Sequence, residues 1–133
     1  MDEDDLANAV IEIAIEIVRE IGPTLDESIC HSVFLDKLRL SGVRVTSEAP
    51  IPTQWKWLES EVASCVGFMV DGKLVVEIKS VQSLSSDDKQ TVLNHLYLTK
   101  CRLGLLINFG EDLSEGGIHR IVNGLPNNQQ QDT

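Results

Sequence analysis

The sequence predicts an α/β (α+β) domain: a central mixed β-sheet of 3–5 strands flanked by helices, in the order α-α-β-(β)-β-β-α-β. Three observations predict the architecture. Two long helical patterns open the chain. Asp71-Gly72 joins two apolar runs as a hairpin. A further helical pattern then leads into LGLLINF at 103–109, a run apolar on both faces. A helix connecting two buried strands suggests a crossover within a mixed sheet.

Residues 5–21 read as the first helix. Glu12, Glu16 and Glu20 recur every four residues as a narrow solvent stripe, and Val10, Ile11, Ala14, Ile15, Val18 and Ile21 fill much of the rest. So wide an apolar surface calls for burial on more than one side, in part by a second chain. Gly22-Pro23 ends the helix. Thr24 and Glu27 have capping-box spacing and start a second helix running to about Leu40, with Ile29, Val33, Phe34 and Leu38 inward. Gly42 suits the position just past its end.

Val43 and Val45 begin a strand that reaches Pro50-Ile51-Pro52. Trp55 and Trp57 alternate with polar residues, as in a short strand covering the sheet edge. Residues 63–70 and 73–81 flank the Asp71-Gly72 turn. Caps within 83–88 start a third helix to about Thr99, with Val92, Leu93 and Leu96 on its core face and His95 partly exposed. A short element follows at 118–122. Residues 1–125 make one domain, and 126–133 a disordered tail.

Composition narrows the function classes. The net charge of −10 disfavours non-specific nucleic-acid binding, which depends on Lys and Arg neutralising phosphates. Cys30, Cys65 and Cys101 are widely spaced and odd in number, which fits buried thiols in a reducing cytoplasm rather than a disulfide framework or a zinc site. The acidic start MDEDDLANAV is the opposite of a signal peptide, and Glu12 and Glu16 interrupt the only long apolar stretch near it. A cytoplasmic protein with no membrane span is expected.

The chemistry concentrates in KLVVEIKSV at 73–81. Glu77 and Lys79 stand two apart in a strand, so both point to one face of a largely apolar ribbon. A carboxylate there can hold a hard divalent cation, and a lysine can position a water or stabilise charge on a phosphate. Two hairpin registers are open. An Asp71-Gly72 loop places Val66 opposite Glu77. A loop of Val70-Asp71-Gly72 with a bulge places Cys65 opposite Glu77 and Gly67 opposite Val75. In the second register Gly67 shares the face of Glu77 and Lys79.

From about residue 5 to Leu125 the chain resembles the GxxExxY family, a branch related to the PD-(D/E)xK nucleases. The matching stretches are IGPTLDES at 21–28, PIP at 50–52, KLVVEIKSV at 73–81, LTKCRLGLLINFG at 98–110 and IHRIVNGL at 118–125. The resemblance implies an α/β nuclease-like core, with a mixed sheet of three or four strands between helices, and Mg or Mn as the ion. It makes Glu77 the acidic metal ligand, Lys79 the catalytic lysine and Glu27 a helix carboxylate beside the active-site strands. It favours the second register, because the family's metal-binding Asp falls at position 67.

Here that position is Gly67. The family's neighbouring Arg falls on Cys65, its motif Gly on Thr24, its motif Tyr on Cys30 and a helix Gln on Thr91, with Gln90 adjacent. Two readings follow. One is a catalytically impaired domain acting as a binding or assembly module, with a homo-oligomer formed through the first helix or the Trp55/Trp57 region. The other is a Mg/Mn-dependent nuclease acting on DNA or RNA with Glu77, Lys79 and Glu27 as its site. The first could need no metal at all.

Overall fold

The computed structural model describes residues 1–22, 26–50 and 65–124. Helices α1 (Glu3–Ile21) and α2 (Glu27–Leu40) precede strands β1 (Val45–Pro50), β2 (Cys65–Val70) and β3 (Leu74–Lys79). Helix α3 (Ser86–Thr99) crosses to β4 (Leu103–Asn108), and a 3₁₀ turn at Leu113–Glu115 leads to β5 (Ile118–Val122). The five strands form one mixed sheet in chain order, β1-β2-β3-β4-β5. Among the described strands, only β3 and β4 run parallel, as a helical crossover requires. The expected short strand at Trp55 and Trp57 and the tail after 125 lie outside the described residues.

Helices α1 and α2 cover one face of the sheet. Helix α1 starts at a capping box in which Asp2 accepts from the Asp5 amide and Asp5 from that of Asp2. Its buried stripe is Leu6, Ala7, Val10, Ile13, Ala14 and Ile17. That stripe is turned from the expected one: Ile11, Ile15 and Val18 are only half-buried and Ile21 is exposed. Glu16 and Glu20 are also more than a solvent face, since Lys37 of α2 reaches them at 2.8 and 3.1 Å.

Helix α2 is capped by Asp26, whose Oδ1 accepts from the Ile29 amide at 2.9 Å, so the first turn does not need the expected Thr24–Glu27 box. Thr24 itself lies outside the described residues. Cys30, Phe34 and Leu38, four residues apart, form the inward row, and Ile29 faces out instead. Phe34 packs against Phe68 and Phe109 at ring separations of 5.6 and 6.3 Å. Gly42 follows the helix at φ 87°, the left-handed geometry expected past a helix end.

Neither expected hairpin register occurs. Val70 pairs with Leu74, Met69 with Val75 and Phe68 with Val76, so the turn is Asp71-Gly72-Lys73. Asp71 and Gly72 both have positive φ (54° and 67°), and the Lys73 amide donates to the Val70 carbonyl at 3.0 Å. Lys73 is the extra residue that carries the strand one step further than a two-residue turn. Continuing this register sets Gly67 across from Glu77. Gly67 thus shares the face of Glu77, as in the bulged alternative, although its partner is not Val75.

Helix α3 packs on the opposite face from α1 and α2. Ser85 and Asp88 form its capping box. Val92, His95 and Leu96 are buried, whereas Leu93 is only half-buried. A Cβ at Gly104 of β4 would lie 3.0 Å from Val92 Cγ1 and 3.2 Å from Leu96 Cδ2, so this glycine lets α3 approach closely.

The connection leaving β3 is fixed by Asn108, a fully buried amide. Its Oδ1 accepts from the Val81 amide at 2.9 Å and the Gly110 amide at 3.0 Å, and its Nδ2 donates to the Val81 carbonyl at 2.8 Å. Burial pushes the thiols of Cys30 and Cys101 up from the ordinary range. Among the described residues, no helix is long and apolar enough to cross a membrane.

Candidate functional site

The ends of β2 and β3 open on a cleft of about 710 Å³ between α2 and α3. Glu27, Glu48, Glu77, Lys79, Asp88 and His95 are among the residues lining it. Glu77 and Lys79 point to the α3 side of the sheet, and Glu27 comes from α2 on the other side. Its Oε1 accepts from the Ser80 amide at 3.3 Å, just past the last residue of β3. The sequence-predicted trio therefore meets at one place, where the two helical layers approach beyond the strand end.

Glu77 is the most constrained of the three. Its Oε1 accepts from the Gly67 amide at 3.1 Å, and its Oε2 lies 2.8 Å from His95 Nδ1. The side chains of His95 and Glu77 are 4 and 18 % exposed. A half-buried carboxylate gains from such partners. The Glu77 carboxylate also fills the space above Gly67. A Cβ at position 67 would lie 2.8 Å from Glu77 Oε1 and 3.1 Å from the Val76 carbonyl oxygen.

Lys79 is more open, and its Nζ lies 3.8 Å from Asp88 Oδ1. Asp88 has two tasks. It closes the α3 capping box, and the Ser85 backbone amide, with the Lys79 ammonium as a smaller contributor, holds its carboxyl below the usual aspartate range. Thr91 borders the cleft but gives its hydroxyl to the Asp87 carbonyl, and Gln90 is bonded to Asn94 outside it.

Two cleft residues escaped the sequence reading. His95 is 3 % exposed rather than partly exposed, and it is the side-chain partner of Glu77. Its spacing from Val92 was the available signal, because three residues on is the same helix face. The second is Glu48, on β1. The flanking pairs Ser47–Phe68 and Ala49–Val66 set it opposite Gly67, and its φ is 50°, uncommon for a glutamate. Nothing in the sequence signals that backbone.

The donor set does not fit a divalent metal as arranged. Mg²⁺ is held through carboxylate oxygens in near-octahedral geometry. Here Gly67 offers no side chain, Glu77 is bonded on both oxygens, Glu27 is bonded to Ser80 and Asp88 to Ser85. Among the described residues, no three His, Cys, Asp or Glu side chains gather closely enough to hold an ion.

An α/β core with an acid and a lysine presented from one strand into a cleft is the arrangement of a nuclease-like domain. The family comparison agrees: a model of the PD-(D/E)XK nuclease superfamily matches residues 4–121, and the chain belongs to that superfamily. No curated protein and no solved structure gave a significant match.

Proposed function

We propose that this chain is a degenerate, GxxExxY-type member of the superfamily, impaired in metal-dependent phosphodiester cleavage and serving as a binding or assembly module. One observation carries the reading. The Glu77 carboxylate, which would hold the ion, is turned onto the Gly67 amide and His95, over the position where a second acid is missing. The net charge of −10 and the several carboxylates around the cleft favour a partner other than nucleic acid. The test is cleavage of single- and double-stranded DNA and RNA with Mn²⁺. The expected result is no cleavage above background, unchanged by Lys79→Ala. Cleavage that Lys79→Ala abolishes would overturn the reading.

A metal-dependent nuclease using Mg²⁺ or Mn²⁺ is the second reading. It is favoured by Glu27, Glu77 and Lys79 bordering one cleft. In it Glu77 and Glu27 would hold the ion and Lys79 would stabilise charge on the phosphate. The same assay separates the two.

A further inference from the structure

We propose that His95 closes this site to divalent cations, so that the missing acid at position 67 is only half of the defect. The inference deepens the reading of an impaired metal site and rests on it.

His95 and Glu77 are committed to each other. The 2.8 Å contact assigns Nδ1 as the donor, since a carboxylate only accepts. The other ring nitrogen, Nε2, is buried with no hydrogen-bond partner among the described residues. Among the described residues, Glu77 is therefore the one polar partner that keeps this imidazole satisfied. A cation drawing Glu77 away would strand a buried ring with neither nitrogen bonded, and that penalty is charged against the ion's affinity.

On its helix side the ring is hemmed in by packing. Its helix neighbours Val92 and Leu96 are buried, and Gly104 lets α3 sit close against the sheet. Restoring an acid at 67 meets the same obstacle from the other side. The new Cβ would stand 2.8 Å from Glu77 Oε1, so Glu77 must leave its present place before two carboxylates can converge. His95 holds it there.

The experiment is Mn²⁺ titration of the full chain by calorimetry, with paramagnetic broadening of the 77 and 79 amides as the site readout. Gly67→Asp is expected to bind weakly. Gly67→Asp with His95→Leu, which keeps an apolar filling and removes the N–H, is expected to bind about tenfold tighter or more. Gly67→Asp with His95→Gln, whose amide can still donate to Glu77, should resemble Gly67→Asp alone. If the leucine variant does not fold, His95→Ala takes its place.

Equal affinity for Gly67→Asp with and without His95 overturns the proposal, as does tight binding by the unaltered chain that weakens on losing His95. Nucleic-acid cleavage by the unaltered chain bears on the impaired-site reading instead, because the titration compares metal affinity alone.

Discussion

Glu77 occupies the volume of its missing neighbour: its Oε1 sits 2.8 Å from where a Cβ on residue 67 would stand and accepts that residue's amide hydrogen. The glycine is thus a structural requirement of the present site as well as the loss of a ligand. Gly67→Ala should force Glu77 aside, losing one charge-assisted hydrogen bond and crowding the Val76 carbonyl. The expected cost is about 1–2 kcal/mol in urea denaturation. In a Glu77→Ala background the same change should cost markedly less, which a double-mutant cycle reads directly.

Asn108→Ala removes the amide that bonds both backbone groups of Val81 and the amide of Gly110. Stripping these three half-buried backbone groups of their side-chain partner should destabilise the fold by about 1–3 kcal/mol. Hydrogen exchange at the Val81 amide should accelerate even under conditions where β4 stays protected. Unchanged protection at Val81 would mean that water replaces the side chain without loss.

Gly104→Ala places a methyl group against Val92 and Leu96 at 3.0 and 3.2 Å. Overpacking of this kind costs about 1–3 kcal/mol. Because the same helix carries His95, the lifted α3 should also lengthen the His95–Glu77 contact. Loss of the imidazole signal for a hydrogen-bonded Nδ1 proton by NMR is the specific readout, since a purely structural cost would leave it in place.

Asp88 titrates below its ordinary value of 3.8, chiefly through the Ser85 backbone amide. A carboxyl lowered in the folded state adds stability that is complete above the unfolded value and disappears as pH falls through the folded one. Thermal melts should therefore be flat in this respect down to about pH 5 and fall below it. Asp88→Asn should flatten that acid limb. An unaltered limb would show that other carboxylates, such as Asp26 and Asp112, which are lowered in the same direction, dominate it.

Much of the architecture was legible because its elements carry strong periodicities. The all-apolar run at β4 and the helix before it announced the parallel crossover. The hairpin register was not legible. Asp71-Gly72 suits a two-residue turn, and the insertion of Lys73 leaves no mark in residue type. Glu27, Glu77 and Lys79 could be named from the motif, and they do border one cleft. His95 was misplaced because one histidine reads equally well as a surface residue, and only its spacing from Val92 and Leu96 betrays an inward face. Glu48 was invisible, since a left-handed glutamate inside a strand contradicts local preference.

The sheet order has a kinetic side. Strands β1, β2 and β3 pair antiparallel, whereas Leu74 meets Leu103 in parallel only after α3 has been folded in between. Closing the longer loop costs more entropy, so the hypothesis that follows is a meander that assembles first and a crossover that docks last. Glu77 belongs to the early half and His95 to the late half. Φ-values should then be higher for Val70→Ala than for Val92→Ala, and the reverse ranking would refute the order. On this route the nascent chain shows its acid uncovered until the final docking event, and the interval before His95 arrives is when a passing cation or a foreign strand has its opening.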